Sequence, residues 1–281
     1  MSELDSVPEL VEPVMVAAFE GWNDAGEAAS AVVEHLSSVW DAGELLALEP
    51  DDYYDFQVSR PRVTVVDGEH RGISWPTTRV SIARPPGGRT DVVLVTGPEP
   101  NMRWRSFAGD LLAIARELGV RRIVLLGALL ADSPHTRPVP VTGMSTPAGL
   151  CGALHLESTG YDGLTGIVGV LHDAFAAAGI EAVSLWAAIP HYVAQPPCPK
   201  GTLALLRRVE DVLDLTVPLG DLPEEARAWE HGVDELASED DDISGYVRSL
   251  EEAKDAAELP EATGEAIARE FERYLKRRGQ G

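Results

Sequence analysis

The sequence predicts an α/β protein in which a mainly parallel sheet is covered by helices and followed by a helical extension. Short apolar runs of strand length alternate with amphipathic segments of helix length from residue 14 to residue 213. This alternation favours right-handed crossovers between parallel strands. After Pro218 the pattern changes to a heptad-compatible apolar stripe in a strongly acidic segment. We therefore predict an α/β core over residues 1–218 and an acidic helical extension over residues 219–281.

The first predicted strand is the apolar run Pro13–Phe19, which has the length of a buried parallel strand and is too short to cross a membrane. A helix follows, because apolar residues then recur at three- and four-residue spacing. Asp24 with Glu27 three residues later fits a capping box. The sequence therefore favours a helix-capping role for Asp24 over a catalytic one. The apolar face of this helix comprises Ala29, Val32, Val33, Leu36 and Val39.

A β-hairpin is predicted next. The strand-like runs Val63–Val66 and Gly72–Trp75 flank Asp67-Gly68, which is a typical hairpin turn sequence. We expect an antiparallel flap on the parallel sheet. The aromatic cluster Tyr53–Phe56, which precedes it, is interpreted as a packed loop rather than a contact surface.

The remainder of the core repeats the strand and helix pattern. Strands are predicted for residues 92–95, 122–126 and 182–189, and helices for residues 104–118, 164–178 and 202–213. Within the second of these helices, His172 is interpreted as a packed or surface histidine. Cys151 and His155 lie one helical turn apart, but nothing in the sequence orients the imidazole, so we do not predict a catalytic pair.

The extension is predicted to form a helical pair. The acidic run Ser238–Asp242 marks the turn between the helices, because adjacent like charges disfavour a buried continuation. A last helix is predicted to place Ile267, Phe271 and Leu275 on one face. The extension could cap the core or provide an oligomer or partner surface. Its apolar stripe comprises Leu222, Ala226, Trp229, Val233, Leu236, Ile243, Val247 and Leu250.

Charge and composition exclude several classes of function. A net charge of −23 would repel a nucleic-acid backbone or an anionic membrane surface. The chain has no apolar segment long enough to span a bilayer and no signal-peptide pattern, so we expect a cytoplasmic protein. The two cysteines form no CxxC motif, which argues against a disulfide framework or a zinc site.

Polar side chains cluster in the four loops that follow the predicted parallel strands. The carboxyl ends of such strands meet at one edge of the sheet, where ligands of open α/β folds bind. Two interpretations remain open: a small-molecule crevice, or side chains that only hold the loops in shape. The candidate residues are Glu20, Asn23 and Asp24 in the first loop, Glu99, Asn101 and Arg103 in the second, Asp132, His135 and Arg137 in the third, and His191 and Tyr192 in the fourth.

Sequence motifs of known chemistry are absent. The chain has no G-x-S-x-G elbow and no P-loop, and the first loop lacks the three-glycine dinucleotide fingerprint. Asp132, His135 and His191 have no metal-ligand spacing. We therefore predict neither a cofactor nor a metal, and we favour a protein that is not an enzyme.

Six ordered segments resemble bacterial, actinobacterial-type members of the proteasome assembly chaperone 2 family. They are FEGWNDAG at 19–26, GPEPN at 97–101, LGALLADSPHTRPVPVTG at 126–143, TGIVGVLHDAFAAAGI at 165–180, SLWAAIPHYVAQPPCPK at 184–200 and the acidic segment 221–250. The resemblance spans nearly the whole chain. It implies a phosphorylase/hydrolase-like three-layer α/β sandwich with a helical extension.

The same resemblance implies a homo-oligomer, for instance a homotrimer, that assists proteasome assembly without catalysis. Proteasome subunits would then be its partners, together with further copies of the chain. Some relatives dock on the proteasome through a terminal hydrophobic-Tyr-any tail, whereas this sequence finishes with Arg277, Arg278 and Gly279–Gly281. The acidic extension is the alternative docking surface. The competing hypothesis is a small-molecule binder or an enzyme of the hydrolase or phosphorylase type that uses the four loops.

Overall fold

An eight-stranded mixed sheet forms the centre of the protein in a computed structural model, which describes residues 9–66, 69–87, 89–149, 152, 157–158 and 161–258. The strands are β1 (Val14–Glu20), β2 (Gly43–Ala47), β3 (Arg62–Val66), β4 (Glu69–Ser74), β5 (Arg79–Ala83), β6 (Val92–Pro98), β7 (Arg122–Ala131), β8 (Val141–Thr146), β9 (Glu157–Ser158) and β10 (Glu181–Pro190). The sheet has the order β2-β5-β6-β1-β7-β10-β8-β9, and β3 pairs with β4 in a separate sheet.

The four central strands are parallel, as the sequence predicts. β1 pairs with β6 from Val14 opposite Val92 to Glu20 opposite Pro98, and β7 pairs with β10 up to Ala131 opposite Pro190. The carboxyl ends of all four strands therefore meet at one edge of the sheet. Their apolar side chains are buried on both faces, which explains their nearly continuous apolar sequence.

Helices cover both faces of the sheet and complete a three-layer sandwich. They are α1 (Ala28–Val39), α2 (Trp104–Glu117), α3 (Ile167–Ala177) and α4 (Pro199–Leu213). Val16 and Ala18 of β1 belong to the apolar core under α1 and α4, whereas Met15 and Ala17 belong to the core under α2 and α3. This alternation follows from the two-residue period of a strand. The predicted α/β sandwich class is confirmed.

Antiparallel strands extend both sides of the parallel centre, and the sequence analysis did not predict them individually. β5 pairs antiparallel with β6, and β2 with β5, while β8 pairs antiparallel with β10 on the opposite side. These strands are short. In β8 the residues alternate between buried and partly or fully exposed, but two of the three buried positions are Gly143 and Ser145 rather than apolar side chains. Such a strand carries little sequence signal, because neighbouring strands provide most of its pairing energy.

The predicted hairpin is confirmed as β3 and β4, which we call the arm. Its strands pair antiparallel, with Val63 opposite Ile73. The predicted turn at Asp67 and Gly68 lies outside the described residues. The aromatic cluster before the arm is packed as predicted, since Tyr53 and Tyr54 are each 3% exposed.

The described part of the extension, residues 219–258, contains two helices, α5 (Leu222–Ser238) and α6 (Asp241–Glu258), and the predicted turn between them is confirmed. Leu222, Val233 and Val247 are buried, but Leu236 is exposed, so the apolar stripe is only partly covered. None of the described helices is long and apolar enough to cross a lipid bilayer. The predicted last helix, with Ile267, Phe271 and Leu275, lies outside the described residues.

His172 of α3 is a packed histidine, as predicted. Its Nδ1 lies 2.7 Å from the Ser184 hydroxyl, and its Nε2 lies 3.2 Å from the Thr146 hydroxyl. Burial lowers the pKa of His172 from its ordinary value of 6.5. The folded state therefore keeps this imidazole neutral at pH values where the unfolded chain is already protonated.

We expect His172 to make the protein less stable as the pH falls. The contribution of His172 to the free energy of unfolding is fully present above pH 6.5 and is lost as the pH falls below that value. The reason is that His172 then gains a proton in the unfolded state but not in the folded state. At pH 5.5 the loss is at most about 1.4 kcal/mol. Urea unfolding at pH 7.5 and pH 5.5 measures it, with His172→Gln as a non-titrating control. An equal pH dependence in the two proteins would contradict this assignment.

Candidate functional site

The four loops do lie at one edge of the sheet, but the structure divides their eleven polar residues into three groups. The first group surrounds the loop after β1 and the start of α3. The second fixes the loop between β2 and the arm. The third contacts the helical extension.

Asn23 and Glu99 join the first two loops to the start of α3. The Asn23 amide Nδ2 donates to Glu99 Oε1 over 2.6 Å, and the backbone N–H of Ile167 donates to the same oxygen over 2.8 Å. Gly166 makes this approach feasible, because a Cβ at that position would lie 2.2 Å from Asn23 Oδ1. A carboxylate that accepts an N–H from the first turn of a helix also stabilises the positive end of its dipole. The Glu99 carboxylate is therefore engaged in holding the loops together.

Asp24 stabilises the start of α1. Its carboxylate accepts hydrogen bonds from the backbone N–H groups of Ala29 and Ser30 and from the Ser30 hydroxyl, over 2.7, 3.3 and 2.5 Å respectively. Burial raises the pKa of Asp24, and these three hydrogen bonds oppose that rise. The predicted capping role of Asp24 is confirmed.

The predicted capping box is nevertheless wrong in its geometry. Residues Ala25–Glu27 form a separate 3-10 turn, and Glu27 has a left-handed backbone with φ of 53°. The helix therefore starts one turn later than predicted, at Ala28. Gly26, with φ of 63°, fits into this turn against Cys198, whose Cβ would be 2.7 Å from a Cβ at Gly26. Close packing against Cys198 explains the displaced start.

Glu20 ends β1 with its side chain toward solvent, and its backbone carbonyl accepts the Glu99 N–H over 2.9 Å. Partial desolvation raises the pKa of Glu20, the negative charges of Glu34, Asp24 and Glu27 raise it further, and the positive charge of Arg62 opposes this rise. The region around the first loop is thus locally acidic.

Asn101 and Arg103 form the second group and hold the loop before the arm. Asn101 Oδ1 accepts the backbone N–H of Asp55 over 2.9 Å and the Ser59 hydroxyl over 3.0 Å. Arg103 forms an ion pair with Asp52. Both side chains therefore stabilise loop structure away from the first group.

The third group lies under the extension. The Tyr192 hydroxyl is 2.8 Å from both the backbone N and the Nδ1 of His135, and His135 Nε2 is 3.0 Å from Asp234 of α5. Only 1% of His135 is exposed. The Lys200 ammonium group donates a hydrogen bond to the His135 carbonyl and forms an ion pair with Glu230 of α5. His135 and Tyr192 thus form the surface on which α5 packs.

The second helix of the extension contacts the same loops. Arg137 forms two parallel hydrogen bonds of 2.8 Å to the Asp255 carboxylate and lies 3.3 Å from Glu251. The Tyr246 hydroxyl donates to Asp132 over 3.1 Å, and His191 Nδ1 lies 3.4 Å from the same carboxylate. Hydrogen bonding from Arg137 lowers the pKa of Asp255. The third group therefore serves to dock α6.

Replacing Arg137 with alanine should loosen the carboxyl-terminal half of α6, because the bidentate pair with Asp255 and the contact with Glu251 are lost together. Hydrogen–deuterium exchange should become several-fold faster over residues 246–258 and remain unchanged in the central strands. Arg227→Ala is the matched control, since Arg227 is exposed and forms its ion pair with Glu224 on its own helix. Equal exchange in Arg137→Ala and wild type would contradict the docking role.

A cavity of about 690 Å³ opens beside the first loop at the same edge of the sheet. Its walls are mainly apolar, with Asp24, Glu27, Thr142, Thr165 and Ser184 among the polar members. Of the eleven predicted residues, Asp24 alone lines it. Its exposed apolar residues, which we call the apolar rim, are Trp22, Leu129, Leu130, Met144, Tyr161 and Leu164.

The sequence analysis did not identify the apolar rim. The available signal was Leu129-Leu130, where the apolar run of β7 continues past its buried part, and Trp22 in an otherwise polar loop. Gly127 leaves room for the Trp186 ring, which lines the cavity, because a Cβ at position 127 would lie 2.6 Å from that ring. These features are visible only when the strands are aligned in space.

In the described part of the chain, no three His, Cys, Asp or Glu side chains are arranged to hold a metal ion. His135 faces Asp234, whereas His191 and Asp132 face Tyr246. Cys198 is buried, and burial raises the pKa of its thiol. Cys151 and His155 lie outside the described residues.

Comparison with known proteins shows which family the chain belongs to. The model of the PAC2 family matches residues 18–237. The chain belongs to the PAC2 family. A crystal structure of a PAC2 family protein from Streptomyces avermitilis is 58% identical, covers 84% of this chain and 99% of its own, and has a TM-score of 0.79. A search of the curated proteins found no match.

Two further structures place this PAC2 protein among its relatives. A Mycobacterium tuberculosis proteasome-assembly chaperone homologue is 54% identical, covers 83% of this chain and 99% of its own, and has a TM-score of 0.78. PbaB, an archaeal proteasome activator from Pyrococcus furiosus, is 18% identical, covers 82% of this chain and 95% of its own, and has a TM-score of 0.65. At that identity PbaB shares the fold.

Proposed function

We propose that this PAC2 protein is a non-enzymatic, homo-oligomeric binding protein that assists proteasome assembly in the cytoplasm, with a homotrimer as its form. The observation that carries this proposal is the similarity of the chain to a protein described as a proteasome-assembly chaperone homologue. The two sequences are 54% identical, and the match covers 99% of that protein's chain. Family membership supports it independently.

The polar loops support a binding role over catalysis. Asn23, Glu99 and Asp24 are engaged in holding loops and helix starts, and His135 is enclosed between Tyr192 and Asp234. A general base must reach a substrate proton. Side chains that are held by intramolecular hydrogen bonds in this way serve structure, although the buried Asn23 Oδ1 has no partner among the described residues.

The outer surface of the extension is the proposed contact with proteasome subunits, and we propose residues 219–281 as a unit distinct from the core at 1–218. Residues 228–247 contain seven carboxylates and no Lys or Arg. Glu235 and Glu239 are exposed, whereas Asp234 and Glu230 face the core. An acidic surface favours a basic partner surface and accelerates encounter with it.

Affinity purification of the tagged protein from its source cells tests this function. Proteasome subunits should co-purify, and deletion of the gene should lower the yield of assembled proteasomes on native gels. Glu235→Lys/Glu239→Lys should reduce co-purification, whereas Glu117→Lys/Asp173→Lys, which reverses two exposed acids of the core, should not. Reproducible absence of proteasome subunits together with normal assembly in the deletion strain would refute the proposal.

A second function is favoured by the cavity, whose size suits a small molecule. In this alternative the protein binds a ligand, or acts as an enzyme of the hydrolase or phosphorylase type, with Asp24 and Ser184 at the cavity wall. Thermal-shift measurements with nucleosides, phosphate, amino acids and divalent metals test it, because a ligand that binds the native state raises the melting temperature. No shift with any of these compounds would count against it.

A further inference from the structure

We propose that Ser184 is a nucleophile activated by His172, and that this pair hydrolyses an uncharged carboxylic ester bound in the cavity. This inference deepens the second function above, the enzyme of the hydrolase type, and rests on it rather than on the assembly role. It assigns a chemical role to two buried side chains, on β10 and α3, that lie outside the four polar loops.

Ser184 and His172 have the geometry of a nucleophile and its base. The Ser184 hydroxyl lies 2.7 Å from His172 Nδ1, and His172 Nε2 lies 3.2 Å from the Thr146 hydroxyl. In the tautomer that carries its proton on Nε2, the ring donates to Thr146, and its Nδ1 accepts the hydrogen bond of the Ser184 hydroxyl. A base that reaches a hydroxyl and is itself held by a third group is the arrangement that activates a serine.

The pair meets the cavity through Ser184. Ser184 lines the cavity wall although only 1% of it is exposed, so a substrate approaches its hydroxyl from the cavity. His172 needs no contact with the substrate, because the proton that it takes belongs to its own hydrogen-bond partner. This hydrogen bond therefore serves the chemistry, in contrast to the one that joins Asn23 to Glu99 between two loops.

The surroundings of His172 suit a base that gains a proton during the reaction. Burial lowers the pKa of His172, so the ring is neutral and can accept a proton at neutral pH. The negative charge of Asp173 opposes this lowering, so it favours the imidazolium that forms when Ser184 loses its proton. The hydroxyls of Thr142 and Thr165 also line the cavity and are the donors available there to a developing oxyanion.

The reaction has two halves, and each returns the proton that it takes. Ser184 Oγ bonds to the carbonyl carbon of the ester while its proton passes to His172 Nδ1. The bond between that carbon and the alcohol oxygen then breaks, and the alcohol leaves with the proton, so Ser184 carries the acyl group. Water next gives a proton to Nδ1 and bonds to the acyl carbon, and Ser184 Oγ leaves and regains the proton. One ester and one water thus become one carboxylic acid and one alcohol.

The lining of the cavity selects an uncharged and largely apolar substrate. Trp22, Trp186 and Leu164 contribute apolar wall, and none of the described lining residues is a lysine, an arginine or a histidine. An anionic substrate would therefore find no cation there, and the carboxylates of Asp24 and Glu27 would repel it. A volume of about 690 Å³ suits a small organic molecule. We therefore expect an ester with an apolar acyl chain.

A fluorophosphonate probe tests the nucleophile, because an activated serine displaces fluoride from phosphorus and keeps the phosphonyl group. Wild type should gain the mass of one probe, and peptide mapping should place the adduct on Ser184. Ser184→Ala should stay unlabelled, and His172→Gln should react about a hundredfold more slowly, which is a usual contribution of a general base. Ser81→Ala, which changes a serine of β5 outside the cavity, should react at the wild-type rate. Urea unfolding of each variant shows whether its fold is retained.

Turnover and binding separate this inference from the function on which it rests. Wild type should hydrolyse p-nitrophenyl octanoate faster than p-nitrophenyl acetate, and Ser184→Ala should abolish the reaction. Folded wild type that carries no adduct on Ser184, or that carries one but hydrolyses neither ester, would overturn the inference. If octanamide, an uncharged analogue with a poor leaving group, still raises the melting temperature, the cavity binds a ligand and only the nucleophile is refuted. If octanamide causes no shift either, the second function is refuted as well.

Discussion

Replacing Gly97 with alanine is expected to lower the free energy of unfolding by about 3 kcal/mol, the upper end of the usual cost of overpacking. A Cβ at this position would lie 2.5 Å from the Thr77 carbonyl oxygen and 2.9 Å from the Thr78 Cα. Both are backbone atoms, so no side-chain rotation can relieve the contact. Relief requires that β6 move away from the segment that leads into β5.

The displacement would also affect the second loop, because Gly97 lies two residues before Glu99 and its contacts with Asn23 and Ile167. Urea unfolding measures the effect. Gly43→Ala is the matched control, since Gly43 also lies in a strand of the sheet but a Cβ there meets nothing within 4 Å. If Gly97→Ala lowers the free energy of unfolding by less than about 1 kcal/mol, the backbone here moves more easily than close packing implies.

Replacing Asp24 with alanine should lower the free energy of unfolding by about 3 kcal/mol. This figure combines the usual loss of a helix cap with the loss of hydrogen bonds to a buried charged group. The Ser30 hydroxyl and the N–H groups of Ala29 and Ser30 would lose their acceptor. Because the first loop follows directly from β1, the change should also increase hydrogen exchange at residues 21–30.

Asp24→Asn separates the capping role from a chemical role. Asparagine keeps an oxygen that can accept the Ala29 N–H, so it should retain much of the stability that alanine loses. If Asp24→Asn and Asp24→Ala destabilise the fold equally, the charge rather than the acceptor geometry stabilises α1. If both leave stability unchanged while a ligand-induced thermal shift disappears, the cavity has the chemical function and the capping assignment is wrong.

Gly97 and Asp24 act on the backbone that holds the loops at the edge of the sheet, so their substitution should change stability. Leu164 and Val65 are exposed, so their substitution should change the free energy of unfolding little.

The candidate site shows where inference from sequence reached its limit. The parallel-strand rule correctly placed all four loops at one edge, because strand direction follows from the alternation of strands and helices. The rule could not show which side chains within those loops meet. His135 and Arg137 contact Asp234 and Asp255, residues about one hundred positions later in the chain.

The sequence by itself determined the α/β class, the central strands, the helix boundaries near α2 and α4, the turn within the extension and the family. Each of these depends on local periodicity, local capping or ordered motifs, which a linear pattern retains. The tertiary structure alone decided that the third and fourth loops lie under the extension, that α1 starts late because Gly26 packs on Cys198, and that an apolar rim surrounds a cavity. Those outcomes depend on contacts between distant segments, whose energies appear only when the chain is folded.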